Sequence, residues 1–165
     1  MNYMEYEARM ATEDDIDNLI AARFDYFEVE KCETTPELRK SIESALWKYF
    51  TKNLNNDFFA ALIEDENGKI CSLSFLAIAE RPANPFYPTG RVGLFQNVLT
   101  YPEHRRKGYA KKVLNALLDI AKRQNLSFVE LCASDMGKPM YEKMGFVEVK
   151  VSSIPGQTDM KLMLV

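Results

Sequence analysis

Asn97-Val98-Leu99-Thr100-Tyr101-Pro102-Glu103-His104-Arg105-Arg106-Lys107-Gly108-Tyr109-Ala110 is the stretch on which the fold of this chain turns. It reads as a β-strand, a short basic loop with a glycine, and the start of an amphipathic helix. Beyond Ala110 the apolar residues fall at Val113, Leu114, Leu117, Leu118 and Ala121, the rhythm of one buried helical face. Lys111, Lys112, Asn115, Asp119 and Lys122 take the opposite face. A helix that begins on a glycine loop turns several backbone N–H groups toward whatever precedes it, and its dipole favours an anion there. Gly108 lets the backbone approach a ligand with no Cβ in the way. Arg105, Arg106, Lys107, Lys111 and Lys112 add positive charge at the same end. The pattern predicts a phosphate cradle.

Outward from that cradle the chain divides into regular elements. Residues 6–10 read as a first strand, and Thr12-Glu13-Asp14-Asp15 as a capping-box-like helix start. That helix carries Ile16, Leu19, Ile20, Arg23 and Phe24 at helical spacing, and Thr35-Pro36 opens a second helix. Residues 25–34, with Glu28, Glu30 and Glu33, read as the connection between them. Strands are expected over 58–64 and 70–80, around the hairpin signal Asn67-Gly68. Pro82, Pro85, Pro88 and Gly90 exclude regular structure from 81–91. A strand over 92–100 leads into the cradle and its helix, and 128–133 reads as a short buried strand holding Cys132 as core filler. A short helix over 140–144 closes at Gly145, and 146–151 and 160–165 read as two last strands. The strand–helix–strand unit at 92–133 requires a right-handed crossover between parallel strands. The expected fold is α/β: a single domain over residues 1–165, with a mixed, mostly antiparallel sheet, helices on both faces and a central parallel βαβ unit.

Arg105-x-x-Gly108-x-Ala110 resembles the Arg/Gln-x-x-Gly-x-Gly/Ala acyl-coenzyme A signature of the GCN5-related N-acetyltransferases, the GNAT superfamily. Ser134-x-x-Gly137-x-x-x-Tyr141-x-x-x-Gly145-Phe146 resembles that family's Asn-x-x-Ala-x-x-x-Tyr-x-x-x-Gly-Phe segment. Two signatures in the right order, with the right elements between them, match the family over nearly the whole chain. Ser134 departs from the usual asparagine; it either bonds the pantetheine or caps the short helix.

The resemblance implies direct transfer of an acetyl group from acetyl-CoA to a primary amine of a small molecule or peptide, with no metal. Backbone around Arg106, Lys107, Gly108, Tyr109, Ala110 and Lys111 would hold the pyrophosphate, and Val98 and Thr100 would pair with the pantetheine arm. A backbone N–H near Val98 or Leu99 would polarise the thioester carbonyl. Tyr141 would protonate the departing sulfur, since a phenol keeps its proton at neutral pH. The family usually draws its base from the strand before the glycine loop, but Gln96 and Asn97 are not bases. A water relay near Asn97, or Glu28 or Glu30, would fill the role. His104, the one histidine, sits in the phosphate loop and receives no catalytic part. The acidic side chains at 28, 30 and 33 would suit a cationic amine.

Composition bounds the alternatives. A chain of 165 residues suits one compact domain. A net charge of −3 argues against a nucleic-acid surface, and no apolar run approaches the roughly 20 residues a membrane helix needs. Cys32, Cys71 and Cys132 are odd in number and unpaired in spacing, which predicts reduced thiols in the cytoplasm. No signal-peptide pattern opens the chain. The resemblance admits a homodimer. A coenzyme-binding sensor that has lost catalysis is the competing reading, kept open by Ser134 and the missing strand carboxylate. A nucleotide-phosphate binder is disfavoured because neither Gly-x-x-x-x-Gly-Lys-Ser/Thr nor Gly-x-Gly-x-x-Gly is present.

Overall fold

A computed structural model describes residues 6–149, 160, 162 and 163. The chain forms two compact units, one ending at Leu131 and the other beginning at Cys132.

In the first unit the order is β1 (Arg9–Met10), α1 (Ile16–Val29), α2 (Pro36–Asn53), β2 (Phe58–Glu64), β3 (Ile70–Glu80), β4 (Arg91–Thr100), α3 (Tyr109–Arg123) and β5 (Val129–Glu130). Strand order in the sheet follows the chain. All neighbours are antiparallel except β4 and β5, which are parallel and joined through α3. The hairpin between β2 and β3 is set locally. Gly68 takes φ +76°, and Asp65 Oδ1 accepts the amides of Asn67 and Lys69, each at 2.9 Å.

Helices cover both faces, which is why β2 is apolar from Phe58 to Ile63 rather than alternating. Phe58, Ala60 and Leu62 turn toward α1 and α2, where Leu19, Ile20, Phe24, Leu73, Phe75 and Leu99 join them. Phe50, the one fully buried residue of α2, stacks with Phe58 and Phe75 at centroid distances of 4.9 and 5.7 Å. The alternate β2 residues, Phe59, Ala61 and Ile63, lie on the face that α3 covers with Val113, Leu114, Leu117 and Ala121.

Thr35 caps α2 by accepting the Leu38 amide at 3.2 Å, with Pro36 at the first helical position. Entry to α1 is a 3-10 turn at Glu13–Asp15, where the Asp15 carboxylate accepts the Thr12 amide at 2.8 Å. Arg9 grips the same carboxylate with two N–H groups, both at 2.8 Å, and reaches Glu64 on β2 at 2.8 Å. The Arg9 guanidinium holds the Asp15 carboxyl below the usual carboxylate range. A depressed native pKa contributes stability that is present above the unfolded carboxylate value, about 3.9, and is lost as pH falls through the native value. Asp15→Asn is therefore expected to destabilise the protein by about 1–3 kcal/mol at pH 7. The gap to wild type should narrow as pH falls below about 4, read by urea unfolding at pH 7 and pH 3.

Three expectations are corrected here. α1 continues to Val29, so residues 25–29 are helical rather than connecting chain, because Phe27 extends the stripe that packs on the core. β5 pairs only at Val129 and Glu130, and Cys132 is exposed rather than a core filler. Residues 146–149 form no strand; 150, 151, 161, 164 and 165, the remainder of the two expected last strands apart from coil at 160, 162 and 163, lie outside the described residues.

The second unit contains α4 (Lys138–Lys143). Gly145 takes φ +94°, and the Phe146 amide returns to the Tyr141 carbonyl at 3.0 Å, a left-handed helix ending.

Candidate active site

β4 is not a regular strand. Gln96 faces Phe75 and Leu99 faces Leu73, so Asn97 and Val98 together stand against Ser74 alone. Asn97 is the bulged residue, at φ +54°, a conformation asparagine tolerates better than most residues. Two buried serines hold the bulge from β3. Ser74 Oγ donates to the Gln96 carbonyl and Ser72 Oγ to the Leu99 carbonyl, each at 3.1 Å.

On its other edge β4 pairs with β5 only at Gly93 and Leu94. From Gln96 to Leu99 that edge has no strand partner among the described residues of this unit. The backbone groups there are available to an extended ligand.

The cradle begins immediately after this edge. Pro102–His104 is a 3-10 turn, Arg106 takes φ +61° and Gly108, the N-cap of α3, takes φ +78°. No side chain caps the helix, and its first backbone bond runs from the Lys112 amide to the Gly108 carbonyl at 3.1 Å. The amides of Ala110 and Lys111 therefore point out of the helix start. Tyr109 is buried and pins the first turn to the core, while Arg106, Lys107, Gly108 and Lys111 are exposed and Ala110 is half-buried. Lys112 is drawn away: its ammonium sits 3.1 Å from the Tyr6 carbonyl and 3.2 Å from Glu7. Arg105 folds back onto β4, donating from Nε to the Thr100 carbonyl at 3.1 Å and tying strand to loop.

The other sequence-singled residues divide. Val98 is half-buried at the bulge, and Leu99 is buried in the α1/α2 core, which leaves only its backbone for any contact outside the core. Asn97 is 1 % exposed, with Nδ2 toward the Ala22 carbonyl at 3.4 Å and Oδ1 accepting from Arg23 at 3.3 Å. These bonds make it an anchor between β4 and α1. Glu28 lies exposed in the last turn of α1, and Glu30 and Glu33 are exposed beyond it. In the second unit Ser134 Oγ accepts the Gly137 amide at 3.2 Å, and its carbonyl accepts the Lys138 amide at 2.9 Å. Ser134 thus caps the turn that starts α4. Tyr141 is buried, its ring edge-on to Phe146 at 5.9 Å. A Cβ on residue 137 would come within 3.1 Å of the Tyr141 ring, a tight approach.

Sequence reading missed two groups beside the bulge. Tyr101 donates to Asp25 at 2.6 Å; burial and this carboxylate push the phenol well above its ordinary value, so it stays protonated. Arg23 reaches the bulge from α1, and burial pulls its guanidinium below its ordinary value. The available signal was its phase: Arg23 falls on the apolar stripe of Ile16, Ile20 and Phe27.

Together these features define a class: an α/β fold in which a strand edge open from Gln96 runs into an uncapped, glycine-led helix start. The family model for the acetyltransferase (GNAT) domain matches residues 7–149. The chain belongs to the GNAT acetyltransferase family.

Among solved structures it is similar to a predicted acetyltransferase from Clostridium acetobutylicum with acetyl-CoA, at 28% identity and TM-score 0.80, covering 95% of this chain and 96% of that one. A GCN5-related N-acetyltransferase from Ralstonia eutropha matches at 22% identity and TM-score 0.74, covering 92% and 98%. Glucosamine-6-phosphate N-acetyltransferase from Arabidopsis thaliana matches at 20% identity and TM-score 0.65, covering 98% and 99%. The last two likenesses are of fold alone. No curated protein sequence matches the chain. Among the described residues no helix is long and apolar enough to cross a membrane.

Proposed function

We propose that this protein transfers the acetyl group of acetyl-CoA directly to a primary amine within one ternary complex, its two units acting as one catalytic domain. The observation that carries the reading is the juxtaposition in β4 and α3. A strand edge open from Gln96 among the described residues runs into a glycine-led helix start with exposed Arg106, Lys107 and Lys111. Pantetheine can pair with the first while diphosphate meets the second.

The chemistry then follows. The amine nitrogen attacks the thioester carbonyl, forming a C–N bond as the C–S bond breaks. An N–H at Val98 or Leu99 stabilises the developing oxyanion. A water takes the amine proton, and Tyr141 gives one to the departing thiolate, releasing free coenzyme A. Tyr141 has this part from its place in the second family signature.

Thiol release from acetyl-CoA, followed with a thiol-reactive dye over a panel of amines, tests the proposal. Amine-dependent release, with a higher melting temperature in acetyl-CoA but not in ATP, is the expected result. A melting shift without release for any amine would leave only a coenzyme binder, and no shift at all would remove the coenzyme.

A further inference from the structure

Arg23 occupies a position on α1 that the helix otherwise gives to the core. Ile16, Leu19, Ile20 and Phe24 around it are buried, and Phe27 packs against the same cluster. Its guanidinium lies 4.7 Å from the Phe27 ring centroid and 6.0 Å from that of Tyr26, so both rings pack against it. Of its five N–H donors, the described hydrogen bond uses one, at 3.3 Å to the neutral amide oxygen of Asn97. Among the described residues no carboxylate ion-pairs with it; Asp25, two residues on, is committed to Tyr101 at 2.6 Å. A half-buried guanidinium with no counter-charge is costly to maintain, and a planar fork held beside aromatic rings is suited to bidentate capture of a carboxylate or phosphate.

Its place gives that capture a purpose. Asn97 is the bulged residue, and Val98, next in the chain, is the backbone assigned above to the thioester. Resting on that reading, we propose that Arg23 receives an anionic group of the acceptor. The substrate is then a compact amine carrying a carboxylate or phosphate within a few bonds of its nitrogen, such as a free amino acid or a phosphorylated amino sugar. Glu28, Glu30 and Glu33, which would favour a cationic amine, are exposed at and beyond the end of α1, whereas Arg23 stands at the bulge itself.

The test is the thiol-release assay on matched pairs. Each amino acid is run beside its amide and its decarboxylated amine, and glucosamine 6-phosphate beside glucosamine; a polyamine completes the set. The anionic member of a pair should be used at least about tenfold better, since a hydrogen bond to a charged group discriminates by that order. Carboxylate and phosphate pairs then separate the two sources of the anion. Arg23→Gln should raise the acceptor KM of the preferred anionic amine roughly ten- to a hundredfold and collapse the preference within the pair, with the KM for acetyl-CoA unchanged. Arg23→Lys, which keeps the charge without the fork, should recover part of the loss. Melting curves with acetyl-CoA confirm that both variants fold, and the wild-type panel stands without either.

Equal use of neutral partners, preference for the polyamine, no acetylation of any anionic amine while acetyl-CoA binds, or an unchanged acceptor KM in Arg23→Gln each overturns the proposal. Release confined to neutral or cationic amines would overturn it and leave acetyl transfer standing. Absence of both release and acetyl-CoA binding would remove the transfer reading as well.

Discussion

Gly108→Val is expected to weaken acetyl-CoA binding about a hundredfold, the scale of losing one or two hydrogen bonds to a charged group. Gly108 stands at φ +78° as the N-cap of α3, a conformation that a β-branched side chain adopts only with strain. A Cβ built there meets none of the described residues within 4 Å, so the new side chain would project into the space before the helix. That is the space assigned to the diphosphate. Two effects therefore combine: backbone strain, which reaches the loop carrying Arg106 and Lys107, and direct obstruction of the amides of Ala110 and Lys111. Gly108→Ala separates them, since it brings most of the φ penalty with far less bulk. Isothermal titration with acetyl-CoA should rank wild type above Gly108→Ala and Gly108→Ala above Gly108→Val, with melting temperatures of the two free variants close together. Equal affinity for wild type and Gly108→Val would show that the diphosphate does not bind at the start of α3.

What the sequence disclosed was whatever local chemistry determines. The β2–β3 hairpin fell where Asp65, Asn67 and Gly68 dictate, and both strands keep the expected bounds, 58–64 and 70–80. The N-cap of α2 at Thr35 and the glycine start of α3 were legible for the same reason. The bulge was not. It depends on two residues of β4 facing Ser74 across a sheet, a matter of register with no local signature. Asn97, considered as an anchor for a catalytic water, turned out to spend its amide on Ala22 and Arg23 of a helix some 75 positions earlier. The end of α1 was misjudged: the connection was expected from Asp25, while Phe27 two positions later still packs on the core. Arg23 stood in plain sight in the apolar stripe, but that no carboxylate among the described residues pairs with it is something only a folded chain can show. Cys132 failed in the opposite direction: an apolar run suggested a buried strand, and pairing ends two residues before it.

Tyr141→Phe should lower kcat by about 10²- to 10³-fold, within the range a positioned acid contributes. The substitution removes one oxygen and retains the ring. The edge-on contact with Phe146 at 5.9 Å and the close approach over Gly137 belong to ring carbons, so α4 and its ending at Gly145 should persist. The stability cost is then limited to the hydroxyl, about 1 kcal/mol. Because the proton is needed only as the C–S bond breaks, the loss belongs to the transition state: acetyl-CoA affinity by titration should stay within about twofold, while kcat and kcat/KM fall together. The pH profile supplies a second readout. An acid that must be protonated imposes a decline in kcat on the alkaline side, and that limb should disappear in the variant. A bulk change at the same position gives a different signature, since Tyr141→Ala removes a buried ring and should reduce melting temperature as well as rate. If Tyr141→Phe kept wild-type kcat across pH, the thiolate would be taking its proton from elsewhere, with water the first alternative. The cradle and the strand edge would then account for binding alone.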